Sequence, residues 1–259
     1  MRPSFVILVL FWIIHITPVY AEQVVKYGVL DIDYLPYQKI ESGKPIGSDA
    51  DIIQGAFQRM DDYTLEFVLL PTKRAFQEFA KGTVDISTRF HSDTLEEHAL
   101  FTQTPLHFSV YKLAVLKGHE FKFDSMADIL DKSLAVIRGN SLGNDFAQYV
   151  SRDLLLIHYT DDAITQLQML LRKRVNAIPS NTEITMRVAK HLGVQDQIVF
   201  LPKPITAKRE YHIVISKKSS IKNLKHFNKS LSSALMDMEV DGTLKKIYWQ
   251  YGLPMHRFQ

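Results

Sequence analysis

Two constellations in this chain suit binding rather than turnover. Tyr34 and Tyr37 flank Pro36, which fixes the loop between them. Rings on such a loop can cover an apolar ligand stem or a cation, or one of them can simply pack in the core. Further along, Gly139, Asn140 and Ser141 form a turn ahead of a helical stretch. Backbone N–H groups at a helix start, with the Asn140 and Ser141 side chains, can hold a carboxylate or another anion; the same residues also make an ordinary capped turn. Neither the six-residue glycine fingerprint nor Gly-Lys-Ser/Thr occurs, so the turn is not a nucleotide-phosphate loop. Catalytic spacings are missing as well. There is no Gly-x-Ser-x-Gly and no His-Glu-x-x-His. His91 and His98 lie seven residues apart beside Asp93, Glu96 and Glu97. That run could ligate a metal, but it reads more simply as a solvated helix face. No catalytic residue, metal site or cofactor is expected.

The elements that would position these residues alternate between strand and helix patterns. Val24 to Leu30 reads as a strand, Ile52 to Met60 as a helix, Leu65 to Leu70 as a strand, Arg74 to Lys81 as a helix stopped by Gly82, and Val84 to Ser87 as a short buried strand. The order then repeats. Ser133 to Ile137 is a strand, Asn144 to Val150 a helix, Leu154 to His158 a strand, and Asp161 to Arg174 a helix capped by Asp161 or Thr160. Val175 to Ile178 is a strand and Glu183 to Leu192 a helix stopped by Gly193. Such order argues for parallel sheets covered by helices on both faces. Two units in one chain suggest two lobes. The joins, Ser109 to Leu116 and Tyr211 to Ser216, are strand-like, and paired crossovers of this kind can act as a hinge.

Composition excludes several classes. A hydrophobic fraction of 46% and a charged fraction of 23% are ordinary for a globular protein. A net charge of +3 without a long basic block gives nucleic-acid binding no support. Cysteine is absent, which excludes disulfides, thiol nucleophiles and cysteine metal sites. At the N-terminus, Arg2 precedes an apolar run from Phe5 to Ile14, and Val19-Tyr20-Ala21 offers a small-x-small cleavage site. This is the pattern of a secretory signal over residues 1–21. The run is shorter than the ~20 residues that span a bilayer. An exported protein with no cysteine for lipid anchoring is expected in a Gram-negative periplasm.

Nearly all of the chain after residue 21 resembles the family 3 extracellular solute-binding proteins of amino-acid-type ABC transporters. The resemblance is carried by Asp31-Ile32-Asp33-Tyr34-Leu35-Pro36-Tyr37 and Gly47-Ser48-Asp49-Ala50-Asp51-Ile52. It continues through Arg74-Ala75, Gly82-Thr83-Val84-Asp85, Phe101-Thr102 with Pro105, and Ile137-Arg138-Gly139-Asn140-Ser141. Asp241-Gly242-Thr243-Leu244-Lys245-Lys246-Ile247 followed by Tyr251-Gly252 is its most specific part. By family position Tyr34 is the ligand-facing ring, and Arg74 and Arg138 join the candidate ligand contacts.

The departures from the family concern the ligand. Its amino-acid binders place an arginine six residues before the Phe of the Phe-Ser motif, to grip an α-carboxylate; here that residue is Leu95. They hold the α-ammonium with an aspartate five residues after the acid ending a second-lobe strand. Here that strand ends at Asn176 and the matching residue is Asn181. An aromatic expected thirteen residues before Asp85 is Thr72. Arg89 and Glu183 are the nearest available charges, and either could instead be a solvated surface group.

The resemblance implies an α/β, two-lobed periplasmic-binding-protein fold of type II, each lobe a mainly parallel sheet flanked by helices, with two hinge strands. Lobe one is expected over residues 22–108 and 210–259, lobe two over 113–204, with crossovers near 109–112 and 205–209. The implied function is capture of a small polar solute between the lobes and delivery to an ABC-type permease, by a monomer that is not an enzyme. Alternatives are a soluble receptor for a membrane sensor and a cleft enzyme of the cyclohexadienyl-dehydratase type. No fused catalytic domain is expected after Tyr251-Gly252. The expected ligand contacts are Tyr34, Tyr37, Arg74, Arg89, Arg138, Asn140, Ser141, Asn181 and Glu183. Standard zwitterionic amino acids are not expected to bind tightly, unless Arg89 and Glu183 restore both charged handles from shifted positions.

Overall fold

The computed structural model describes residues 22–254; the export signal read over residues 1–21 lies outside the described residues. The chain opens with β1 (Gln23–Leu30), a hairpin of β2 (Lys39–Glu41) and β3 (Lys44–Ile46), α1 (Ser48–Phe57), β4 (Tyr63–Leu70), α2 (Thr72–Lys81) and β5 (Ile86–Phe90). A short α3 (Asp93–Glu96), β6 (Ala99–Phe101) and β7 (His107–Ser109) follow. A second unit comprises β8 (Tyr111–Leu116), β9 (Ser133–Ile137), α4 (Asn144–Ser151), β10 (Leu156–Thr160), α5 (Ala163–Leu171), β11 (Ile178–Asn181), α6 (Thr182–His191) and β12 (Ile198–Pro204). The chain returns through β13 (Arg209–Ser216) and ends with α7 (Leu224–Val240) and α8 (Thr243–Gln250).

The first lobe is built on a sheet of order β4-β1-β5-β13-β6, with β7 also paired to β13. Its centre, β4-β1-β5, is parallel, and β13 adds antiparallel beside β5. The alternation of its strands explains why both faces are buried. Ile213 and Ile215 face one apolar cluster with Val25, Tyr27 and Val29, under α1, α7 and α8. Val214 faces the other, with Ala75 and Phe79 of α2 and with Leu95. The second lobe repeats the device. Parallel β9 and β10 connect to β11 through a Leu134–Ala177 bridge, and β8 pairs antiparallel with β11 and β12. Leu134 and Val136 face one cluster with Phe146, while Ala135 faces the other with Leu167, Leu170 and Val188. β1 and β9 belong to separate sheets. The chain passes from one lobe to the other at Val110, between β7 and β8, and back between β12 and β13.

Several boundaries differ from the sequence reading. The helix expected from Asp161 begins at Ala163, because Asp162 is the residue whose carboxylate caps the Thr165 N–H, at 2.7 Å. The strand expected over Val84 to Ser87 runs instead from Ile86 to Phe90. Asp85 is withdrawn from that strand as a buried acceptor, taking the Lys26 N–H at 2.8 Å. The shift carries Arg89 onto the strand, one residue before its carboxyl end.

The family-like motifs act largely as staples. Gly47 has φ 115°, and a Cβ there would lie 2.3 Å from the Tyr37 carbonyl oxygen. Only glycine fits, which lets the Ser48 and Asp49 N–H groups donate to the Pro36 and Tyr37 carbonyls at 3.0 Å each. The start of α1 thereby holds the Tyr34–Tyr37 loop. At the other end of the chain, the Tyr251 hydroxyl donates to Asp51 at 2.9 Å and Arg59 donates to Asp241 at 2.7 Å, tying α8 and its cap to α1.

Candidate functional site

A cavity of about 490 Å³ opens between the lobes, within the ~300–1,000 Å³ typical of small-molecule sites. It lies at the carboxyl ends of β1 and β5, where side chains leaving a parallel sheet converge on a crevice. Both Tyr34 and Tyr37 reach it. Tyr37 is 1% exposed and stacks on His107 at 3.9 Å between ring centres; His107 stacks in turn on Tyr211 at 4.6 Å. Tyr34, the ring favoured by family position, is half-buried, and its hydroxyl shares a 2.7 Å hydrogen bond with that of Tyr111. Burial raises the pKa of Tyr34, Tyr37, Tyr111 and Tyr211, so all four stay neutral hydroxyls.

Arg89 supplies the cation. Its Nε and Nη2 atoms are buried and have no hydrogen-bond partner. These two nitrogens lie on one edge of the guanidinium and form a side-on fork that matches the two oxygens of a carboxylate. The flat group is flanked by Phe79 and Phe76, whose ring centres lie 5.6 and 5.9 Å from the guanidinium carbon. Burial lowers its pKa, yet a guanidinium is basic enough to remain charged at neutral pH. Among the described residues no carboxylate lies within ion-pair distance of Arg89. A charge left in this state is costly unless something from outside the chain pairs with it.

His107 and Asp49 also line the cavity and are at most 6% exposed. Asp49 Oδ1 is 3.4 Å from His107 Nε2, close enough for charge attraction, but neither imidazole nitrogen makes a hydrogen bond. Arg209, at the start of β13, crosses to the second lobe and donates to the Ser141 carbonyl at 2.8 Å. Its guanidinium carbon lies 4.8 Å from the Phe90 ring centre and 5.3 Å from that of Tyr111.

The remaining expected contacts divide. Gly139, Asn140 and Ser141 line the cavity. However, α4 is capped by Gly143, three residues past Asn140, and the Asn140 N–H is bonded within the turn to the Ile137 carbonyl at 3.1 Å. That N–H is not offered to an anion. Arg74 is exposed and Arg138 is exposed beside Asp161, 3.4 Å away; neither lines the cavity. Asn181 is 3% exposed and fully engaged: Oδ1 accepts from the Glu183 and Ile184 N–H groups at 3.0 Å each, and Nδ2 donates to Ser109 at 2.9 Å. Its amide caps α6 and ties that helix to β7. Glu183 does not line the cavity, although its Oε2 is buried without a hydrogen-bond partner. Leu95, where the family has an arginine, is a buried apolar wall of the cavity. His91 bonds Glu96 at 2.7 Å, and His98 packs edge-on against Phe76. Among the described residues no cluster of three or more histidine or acidic side chains is placed to hold a metal ion.

His107, Arg209, Tyr211 and Phe90 escaped the sequence reading. Asp49 and Leu95 were visible only as motif positions. The overlooked residues become neighbours through pairing of β13 with β5 and β7, more than a hundred residues apart in sequence.

The sequence profile of the bacterial extracellular solute-binding proteins, family 3, matches residues 27–254. The chain therefore belongs to that family. Solved structures with the same two-lobed fold include one from work on glutathione import via GshT and the cystine ABC importer TcyBC of Streptococcus mutans, with a TM-score of 0.73 and 17% identity over 89% of this chain and 95% of that one. A histidine kinase sensor domain with similarity to periplasmic binding proteins gives 0.70 and 17%, covering 89% and 96%. A mutant of the T. maritima arginine-binding protein gives 0.68 and 16%, covering 88% and 94%. No curated protein sequence matches the chain.

Proposed function

We propose that this protein is an exported receptor that closes its two lobes on a small carboxylate-bearing solute and presents it to an ABC-type membrane permease. The observation that carries the ligand class is Arg89, a half-buried guanidinium whose buried Nε and Nη2 atoms have no hydrogen-bond partner among the described residues. Such a pair of nitrogens is explained by a ligand that arrives with its own negative charge. The family supports solute binding, and the importer-linked relative supports delivery to a permease. We place the protein in a periplasm on the strength of its signal-like N-terminus, and the hinge at residues 109–112 and 205–209. Tyr34, Tyr37, Asn140 and Ser141 are assigned as further ligand contacts. Arg74 and Arg138 are not, because both are exposed away from the cavity, and Asn181 is not, because its amide is consumed by the fold. Among the described residues lining the cavity none combines an activated nucleophile with a proton acceptor, so a receptor fits better than an enzyme.

The resemblance to a histidine kinase sensor domain supports a second reading, in which the same closure is read by a membrane sensor. Binding chemistry is common to both; pull-down from membranes with solute present distinguishes permease from kinase. A thermal-shift screen of anionic, neutral, zwitterionic and cationic solutes tests the ligand class. Carboxylates are expected to raise the melting temperature, by the equivalent of about 2.7 kcal/mol at a hundred times the dissociation constant. A screen in which only cationic or neutral solutes stabilise the protein overturns it.

A further inference from the structure

The walls around Arg89 restrict what can accompany the carboxylate. We propose that the solute is a monocarboxylate whose remaining body is a flat apolar ring, without an ammonium group; this rests on the carboxylate reading of Arg89.

Apart from Arg89 and His107, whose nitrogens are unpaired, several polar groups that line the cavity are already bonded within the protein. The Tyr34 and Tyr111 hydroxyls share their 2.7 Å bond, Thr88 is bonded to Tyr27 at 2.6 Å, and Gln38 donates to the Leu30 carbonyl at 2.8 Å. Buried hydroxyls of a sugar-like solute would be left unpaired against such walls, and unpaired buried polar groups lose affinity. The Ser92, Thr94, Asn140 and Ser141 side chains sit at positions solvent reaches.

What the cavity does present is ring surface. The three-ring stack of Tyr37, His107 and Tyr211, nearly parallel at 20° and 18°, forms one aromatic wall. Phe76 and Phe90 line the cavity with Arg89, and Leu95 adds an apolar wall where the family carries an arginine. Offset or edge contacts to such rings favour a flat apolar body. A volume of about 490 Å³ leaves ample room, since a dry cavity of about 150 Å³ already accepts benzene.

Charge argues against an ammonium. Two guanidiniums, Arg89 and Arg209, line the cavity, and among the described residues the only carboxylate that does so is Asp49, which is 4% exposed and 3.4 Å from the His107 ring. Glu183 stands outside the lining. An ammonium entering here would lose its water and meet an excess of positive charge.

Isothermal titration of the full exported chain with matched probes tests this. Phenylacetate, indole-3-acetate and phenylpyruvate supply ring and carboxylate; succinate and lactate lack the ring; phenethylamine lacks the carboxylate; phenylalanine adds the ammonium; glucose supplies hydroxyls. The expected result is that at least one ring acid binds tenfold or more tighter than every other probe, and that Arg89→Ala removes this binding while circular dichroism shows the variant folded. Succinate or lactate binding as tightly, and equally dependent on Arg89, overturns the ring proposal and leaves the carboxylate reading standing. Phenethylamine or glucose binding best, unaffected by Arg89→Ala, overturns both. Phenylalanine binding as well as its ring-acid partners refutes exclusion of the ammonium. Absence of heat with all three ring acids at millimolar concentration also overturns the proposal.

Discussion

The first lobe brings to the cleft Arg89, Tyr34, Tyr37, His107 and Tyr211, each fixed by a strand end, a ring stack or a glycine-seated loop. The second brings Tyr111 and the turn Gly139-Asn140-Ser141, whose Ser141 carbonyl accepts a hydrogen bond from Arg209 across the lobes. The contrast separates two tasks. One lobe carries a pre-built surface with unpaired guanidinium nitrogens, and the proposed function puts recognition there. In the proposed function, the turn of the other lobe closes onto a bound solute. A ligand touching both surfaces shifts the lobes toward the closed arrangement by the difference in its affinity for the two forms.

The largest effect that could break this contrast is at Arg89. Arg89→Ala is expected to cost about 2–5 kcal/mol of solute binding by calorimetry. The same variant without solute should melt no lower than the wild type, because the buried Nε and Nη2 atoms, left without a hydrogen bond, are a cost to the empty protein. A variant that binds normally, or that unfolds, removes the division of labour.

Gly47→Ala comes next and acts on stability. Its Cβ would meet the Tyr37 carbonyl oxygen at 2.3 Å, and φ 115° is unfavourable for alanine. A loss of roughly 1–3 kcal/mol in denaturant melts is expected, with weakened binding as the Tyr34–Tyr37 loop is displaced. Wild-type stability in this variant would show that the loop is not held from α1.

Asn181→Ala sharpens the comparison from the second lobe. Loss of the α6 cap should lower stability by about 1 kcal/mol, with affinity changed less than threefold. A large loss of affinity at unchanged stability would return Asn181 to the ligand.

A smaller effect, far from the cleft, is set by pH. Hydrogen bonds from Thr243, then from Arg59, hold the Asp241 carboxyl down at about 2. An ordinary unfolded aspartate titrates near 3.9. The depressed group therefore contributes stability above about pH 4 and loses it as pH falls through about 2. The melting-temperature gap between wild type and Asp241→Asn should be full at pH 6 and narrow steadily from pH 4 to pH 2. A gap independent of pH contradicts the assignment.

Much of the architecture was legible because burial on both faces imposes it. Val25, Tyr27 and Val29 mark β1 by alternation, and Gly82 and Gly193 stop their helices with φ 80° and 70°. The β2–β3 hairpin was not legible, since Lys39–Glu41 and Lys44–Ile46 carry no buried face. At the site, Arg89 could be found from its spacing to Asp85, and Tyr34 and Tyr37 from their proline. Asn181 showed the limit of position matching. The sequence places it where a ligand handle belongs, while local geometry turns its amide into a helix cap. His107 and Arg209 gave no local signal, because their roles arise only when β13 docks beside β5 and β7.

The most direct test is small-angle scattering of the wild type and Arg89→Ala, each with and without the carboxylate that gives the largest thermal shift. The account predicts a smaller radius of gyration for the wild type on adding solute and no change for the variant. A solute that raises the wild-type melting temperature without compaction, or that compacts the Arg89→Ala protein equally, contradicts it.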